Sequence, residues 1–106
     1  MKKNILNISL DNFKNNKSIY KSWVEEIKDE ICVWRQNKKK FFAYSNICPH
    51  NGGEFSLPKN NKVKCKWHGW EFSLFDGKCA TFKKLNCKIK IYECEINNNT
   101  LIVNTK

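Results

Sequence analysis

The chain has 106 residues, of which 41% are apolar and 28% are charged. This length fits one domain, and the composition excludes an intrinsically disordered chain. The formal charge of +10 comes almost wholly from lysine, since Arg35 is the only arginine, and specific nucleic-acid recognition, which relies on bidentate arginine contacts, is therefore not expected.

The N-terminal segment predicts neither an export signal nor a membrane span. Its apolar stretch, Ile5 to Leu10, is short and is interrupted by Asn7 and Ser9. No run approaches the roughly 20 apolar residues of a transmembrane helix. We therefore expect a soluble, cytoplasmic protein in which the six cysteines are thiols or metal ligands.

The first thirty residues carry weak signals. Apolar residues within 5–10 predict a short strand, and the polar residues 11–22 predict a loop. The segment 21–30, KSWVEEIKDE, is ambiguous because its charge pattern permits a helical turn while its apolar spacing is irregular.

A clear strand pattern follows and then breaks. The β-branched and aromatic runs 31–36 and 41–44 predict a hairpin around the polar NKKK. Residues 45–77 hold all four glycines and both prolines, which predicts tight turns and close approach of the backbone. Within this region EFSLF, residues 71–75, predicts a short strand, and the DG that follows predicts a turn.

The C-terminal part predicts a last hairpin. Residues 87–96 and 100–105 alternate apolar and polar side chains around the sequence NNN. Alternation of this kind is typical of strands with one buried face. The whole chain is therefore predicted to be mainly β, with a glycine-rich loop region in the middle.

Both histidines of the chain lie close to a cysteine. The pattern is Cys48-x-His50, then fourteen residues, then Cys65-x2-His68. Two thiolates and two imidazoles suit a single tetrahedral zinc ion. They equally suit a [2Fe–2S] cluster in which two histidines replace two cysteines on one iron. Spacing alone leaves both metals open.

The residues around these ligands carry a resemblance to a known family. The stretches CPHNGGEF and CKWHGWEF, followed by DG, closely resemble the Rieske iron–sulfur domain in the version found in Rieske-type ferredoxins and Rieske oxygenases. The resemblance implies a small domain of antiparallel sheets with two cluster-binding loops at one tip. It predicts one Rieske domain over 1–106, with base sheets in 1–44 and 78–106 and the loops in 45–77.

The resemblance also implies the ligand set of one [2Fe–2S] cluster. Cys48 and Cys65 would hold the inner iron, and His50 and His68 the outer iron near solvent. Cysteines outside the pattern are expected to be buried thiols; they are Cys32, Cys79, Cys87 and Cys94.

The surroundings of the implied cluster have their own expected roles. Gly52, Gly53 and Gly69 would let backbone N–H groups approach the bridging sulfides. Trp67 and Trp70 are expected to shield the cluster by packing.

Several positions depart from the Rieske proteins of respiratory complexes. The extra cysteines that form a disulfide there correspond here to Gly53 and Trp67. The hydroxyl residues that bond the cluster sulfurs there correspond to Trp70 and Phe72. Fewer hydrogen bonds leave the reduced cluster less stabilised, so we expect a potential near the low end of the span of roughly −150 to +300 mV.

The predicted function is one-electron transfer without catalysis. A complete Rieske oxygenase needs further histidines for its catalytic iron, and none remains once His50 and His68 are used. We expect a carrier between a reductase and a terminal oxygenase or related redox enzyme. The alternatives are a small subunit of a larger complex, similar to the nitrite-reductase small subunit, and a non-redox zinc module.

The lysines have two interpretations. Lysine and asparagine are both abundant at the expense of arginine, which favours compositional bias. The alternative is a basic face that attracts an acidic redox partner. Lysines that lie near the two loops in sequence would form that face; they are Lys59, Lys62, Lys64, Lys66 and Lys78.

Overall fold

The computed structural model describes residues 3–13, 18–49, 52–66, 69–82 and 87–105. The strands within them are β1 (Asn4–Ser9), β2 (Ile19–Val24), β3 (Asp29–Arg35), β4 (Phe41–Ser45), β5 (Lys62–Lys64), β6 (Glu71–Ser73), β7 (Ile91–Asn97) and β8 (Thr100–Asn104). A six-stranded sheet has the order β1-β8-β7-β4-β3-β2, and a separate pair joins β5 to β6. All of these strand pairs are antiparallel. The expected mainly β class with antiparallel sheets is confirmed.

The β3–β4 hairpin is the centre of the molecule because both of its faces are buried. Ile31 and Val33 of β3 contribute to one apolar core, and Cys32 and Trp34 contribute to the other. Successive side chains of a strand point to opposite faces, so the continuous apolar run of β3 serves two cores. The predicted hairpin around NKKK is confirmed, with Arg35 paired to Phe41 at its end.

The two cores have different neighbours. One, which we call the base core, lies against β1 and β8 and includes Ile8, Leu101 and Val103. The other, the loop core, includes Cys48 and Cys65. The loop core therefore joins the predicted site directly to the central hairpin.

The expected loop over 11–22 is wrong from Ile19 onward, and its residues 14–17 lie outside the described part of the chain. Leu10–Asn12 forms a 3-10 turn, and β2 begins at Ile19 and pairs with β3 along its whole length. Trp23 is 53% exposed, because β2 is an edge strand with one face toward solvent. The ambiguous segment 21–30 resolves into the end of β2, a turn over 25–28 and the start of β3.

The other strand predictions are correct in type but less accurate in length. The first strand and the last hairpin around NNN are confirmed. The predicted strand 71–75 ends at Ser73, because the chain turns there and Gly77 N donates to Ser73 O at 2.8 Å. The predicted strand from Cys87 begins only at Ile91. Among the described helical segments, none has the length and apolar character needed to cross a bilayer.

A buried carboxylate connects β3, β4 and β7. Asp29 is 3% exposed and accepts hydrogen bonds from Ser45 Oγ and Tyr92 Oη, both at 2.7 Å. A buried carboxylate requires such donors. Burial, and then the hydrogen bond to Asp29, raises the pKa of Tyr92.

Stability is expected to fall above about pH 10, the ordinary pKa of tyrosine. Above pH 10 the folded state keeps Tyr92 protonated while the unfolded chain releases the proton. The contribution of Tyr92 to the free energy of unfolding is therefore fully present below pH 10 and decreases above it. Urea unfolding between pH 8 and about 11 measures this. Tyr92→Phe should lose about 1 kcal/mol at neutral pH and show a shallower alkaline decline; an unchanged decline would contradict the assignment to Tyr92.

Candidate functional site

The two cysteines of the predicted ligand pattern come together in the loop core. Cys48 follows β4 after a short connection, and Cys65 follows β5 directly. Each is 1% exposed. The loop core thus holds two buried thiols from segments far apart in sequence.

The first loop is closed by two backbone hydrogen bonds around Cys48. Gly52 N donates to Cys48 O at 2.7 Å, and Cys48 N donates to Gly53 O at 2.8 Å. Gly52 has φ +76, a conformation that glycine adopts without steric penalty. The turn therefore depends on a glycine four residues after the cysteine.

The second loop repeats this pattern at the same offsets. Gly69 N donates to Cys65 O at 2.9 Å, and Cys65 N donates to Trp70 O at 2.8 Å. Gly69 has φ +71, nearly the value of its counterpart. The described residues of the two loops therefore share one hydrogen-bond pattern, although in the sequence Cys48 precedes its histidine by two residues and Cys65 precedes its histidine by three.

No described atom crowds the two turn glycines. A Cβ built on Gly52 or Gly69 would meet no atom of the described residues within 4 Å. Positive φ, rather than crowding by the described atoms, is thus what these positions require. The expected close approach of Gly52, Gly53 and Gly69 to bridging sulfides stays a prediction.

Hydrogen bonds hold the two loops against each other. Lys66 N donates to Glu54 O at 3.0 Å, and Ser56 N donates to Lys64 O at 2.8 Å. Between these bonds Phe55 forms an antiparallel bridge with Cys65. The chain leaving the first loop therefore pairs with the chain entering the second, which fixes their relative position.

Asn46 anchors the first loop, although the sequence pattern did not mark it as a functional residue. It is 3% exposed; its Oδ1 accepts from Phe55 N at 3.2 Å, and its Nδ2 donates to Glu30 Oε1 at 2.7 Å. A side-chain amide can satisfy backbone groups in this way. The available signal was a lone amide two residues before the first ligand cysteine.

The two predicted histidine ligands, His50 and His68, lie outside the described residues, as does Trp67. Trp70 is described: it packs against the loop core, and its ring meets Phe82 edge-on with centroids 4.8 Å apart. Its indole thus covers one flank of the second loop. A shielding role for Trp67 and Trp70 toward a cluster stays a prediction.

Two cysteines outside the ligand pattern, Cys32 and Cys94, have environments suited to inert thiols. Burial raises the pKa of Cys32 and of Cys94, each to about 12, so the thiolate needed for metal binding is scarce at neutral pH. Cys79 is 4% exposed. The expectation of burial holds for Cys32 and Cys79, whereas Cys87 and Cys94 are only partly buried.

The basic residues of the predicted face are all exposed. Lys62 and Lys64 lie on the same outer side of β5, since Val63 between them points into the core. Lys59 is the bridge partner of Lys62. Lys66 makes an exposed ion pair with Glu54 at 3.5 Å, which adds little stability.

The described residues fit a cluster held partly by cysteine thiolates. Two buried thiols lie in loops that share a backbone hydrogen-bond pattern, and backbone bonds fix the two loops relative to each other. Thiolate is the ligand type that iron–sulfur clusters use.

A family model for the Rieske [2Fe–2S] domain matches residues 8–95. Among curated proteins the chain is 35% identical over 53 residues to oxidoreductase NdmD of Pseudomonas putida, covering 48% of this chain and 9% of NdmD. It is 30% identical over 88 residues to cholesterol 7-desaturase nvd 1 of Ciona intestinalis, covering 76% of this chain and 18% of that protein. The chain spans less than a fifth of the length of these relatives.

Solved structures of similar size share the fold. The ferredoxin of carbazole 1,9a-dioxygenase from Nocardioides aromaticivorans IC177 superposes with TM-score 0.69 at 21% identity, covering 97% of this chain and 98% of the ferredoxin. A Mycobacterium tuberculosis protein described as an NADH-dependent nitrite reductase small subunit gives TM-score 0.70 at 13% identity, covering 100% and 96%. At these identities the likeness concerns the fold.

Proposed function

This chain belongs to the Rieske [2Fe–2S] domain family, and from that membership we propose that it is a soluble one-electron carrier between a reductase and a terminal oxygenase or related redox enzyme. As a family member it binds one Rieske-type [2Fe–2S] cluster, so the resemblance stated from CPHNGGEF and CKWHGWEF is confirmed. The cluster, when bound, accepts and releases a single electron. The chain acts as an electron-transfer component and not as a catalyst by itself.

We assign Cys48 and Cys65 to the inner iron and His50 and His68 to the outer iron. The support for the cysteines is their burial and the shared turn geometry. The support for the histidines is their position within the same turns in sequence. Solvent-facing imidazoles would be the exit point for the electron.

The single observation that carries the proposal is the shared backbone hydrogen-bond pattern around two buried cysteines within a Rieske family match. The test is anaerobic purification followed by iron and sulfide analysis, visible spectroscopy and electron paramagnetic resonance of the reduced protein. We expect two irons and two sulfides per chain and the low average g value of a Rieske centre. A colourless protein containing zinc would overturn the proposal in favour of the non-redox module.

The partner is proposed from proteins of similar size. The chain and the carbazole dioxygenase ferredoxin cover each other almost completely, which supports a separate carrier that serves an oxygenase. The equally complete match to the nitrite reductase small subunit supports the second candidate, a subunit of a larger redox complex. Size-exclusion chromatography of the native protein separates them, because a carrier elutes alone and a subunit elutes with its catalytic partner.

The division of the chain and its location belong to the proposal as well. We propose one Rieske domain over 1–106, with base sheets in 1–44 and 78–106 and loops in 45–77. A cytoplasmic location is proposed together with this division of the chain. Fractionation of the source cells would test the location.

The exposed lysines beside the loops are proposed to attract an acidic docking surface. Replacing Lys62 and Lys64 together with glutamate should slow electron transfer to the partner at least tenfold at low salt, with a smaller effect at high salt, because long-range attraction is screened. Stopped-flow mixing with the partner measures the rate. The matched control is Lys38→Glu with Lys39→Glu in the β3–β4 turn; equal effects of both pairs, or none, would reduce the lysines to compositional bias.

A further inference from the structure

Two cysteines outside the proposed cluster site lie next to a short antiparallel pairing, one on each of its segments. Ile89 N donates to Gly77 O at 2.9 Å, and Lys78 forms an antiparallel bridge with Lys88. In an antiparallel pair each step forward on one strand matches a step back on the other. The next opposed pair is therefore Cys79 with Cys87.

Opposed residues in this register have a Cα separation within the range that a disulfide can span. Directly opposed residues have Cα atoms roughly 4.5–5.5 Å apart, and disulfides span about 4.4–6.8 Å between Cα atoms. Opposed side chains also share a face. Cys79 and Ile89 are both buried in the loop core, and Cys87 packs against it, as side chains on a common face must.

The electrostatics agree with this proximity. Burial raises the pKa of Cys87, and the neighbouring Cys79 raises it further. The pattern does not recur at the other cysteines outside the ligand pattern, whose cross-strand partners have no thiol. Cys94 lies opposite Val103, and Cys32 lies opposite Tyr44 and Lys21.

We propose that Cys79 and Cys87 form a reversible disulfide that links the two ends of the connection 80–86. The oxidant is a small disulfide such as oxidised glutathione. The thiolate of Cys87, which is the more accessible, attacks one sulfur and releases one reduced glutathione. The thiol of Cys79 then loses its proton, attacks the Cys87 sulfur and releases the second. Two protein thiols are oxidised and one glutathione disulfide is reduced to two thiols.

The bond would act next to the second loop. Phe82 N donates to Cys79 Sγ at 3.4 Å, and the Phe82 ring packs on Trp70. Trp70 O in turn accepts from Cys65 N. Oxidation would therefore fix the packing that covers this loop without using either cysteine assigned to the cluster.

The test uses holoprotein incubated with oxidised glutathione, then alkylated and digested with trypsin without reduction. Trypsin cleaves after Lys78, Lys83, Lys84 and Lys88. We expect peptides 79–83 and 85–88 joined, with a mass two hydrogens below their sum, and separated again by dithiothreitol. The visible absorption of the cluster should be unchanged. Because a short loop is closed in the unfolded chain, Tm should rise by several degrees on oxidation.

Substitutions of single cysteines test whether the disulfide joins Cys79 to Cys87. Cys87→Ser and Cys79→Ala should each lose the joined peptide and the rise in Tm, whereas Cys94→Ser, a partly buried thiol elsewhere, should keep both. A glutathione adduct that persists on Cys87 while Cys79 is alkylated would overturn the proposal. So would cross-links to other cysteines. The disulfide proposal is tested by a peptide mass and the electron-carrier proposal by iron content. Either proposal can therefore be wrong without affecting the other.

Discussion

Cys65→Ser is expected to give a folded but colourless protein with less than a tenth of the wild-type iron. A serine hydroxyl is a far weaker ligand for iron than thiolate. The backbone bond from residue 65 N to Trp70 O does not involve the thiol, and neither do the two backbone bonds that flank its bridge with Phe55, so the turn itself can persist. Iron analysis, visible spectroscopy and far-ultraviolet circular dichroism of the purified variant measure the outcome.

The matched control is Cys94→Ser, which removes a thiol from β7 at a distance from both loops in sequence. It should retain full iron and colour. If Cys65→Ser retained the cluster, the assignment of Cys65 as a ligand would be wrong. If the control lost it equally, the loss would reflect unfolding, which circular dichroism would register.

Gly77→Ala is expected to destabilise the fold by about 3 kcal/mol. Gly77 has φ +77, and a Cβ there would meet the backbone oxygen of Ile89 at 2.3 Å. Alanine thus suffers both left-handed strain and a clash with the main chain, which cannot rotate away. The hydrogen bond from Ile89 N to Gly77 O at 2.9 Å holds the two backbones at this close approach.

Urea denaturation of the wild-type protein and of Gly77→Ala, at equal cluster content, measures the difference in the free energy of unfolding. Asn98→Ala is the control, because Asn98 has φ 57 in the last hairpin and already accommodates a Cβ. Asn98→Ala tests the effect of left-handed backbone strain without a clash, and its free energy of unfolding should fall by only about 1 kcal/mol. Equal losses at both positions would show that the clash at Ile89 is relieved by movement and that Gly77 is needed for its φ alone.

The mainly β fold class, the Rieske family and the [2Fe–2S] cofactor could all be predicted from the sequence. Two cysteine–histidine pairs with their glycines are local in sequence, so the turn around each cysteine could be anticipated from a few adjacent residues. The β3–β4 and β7–β8 hairpins were also local, since β-branched and aromatic runs flank short polar turns. Strand β2 was missed because an edge strand has polar residues on its solvent face, and its conformation is imposed by pairing with β3.

Which residues of distant segments contact each other became visible only in the three-dimensional structure. The separation of β3 side chains into two cores, the carboxylate of Asp29 between Ser45 and Tyr92, and the anchoring of the first loop by Asn46 all join segments distant in sequence. The register that opposes Cys79 to Cys87 is equally nonlocal. Such contacts depend on the summed packing of the whole chain, and local propensity carries no information about them.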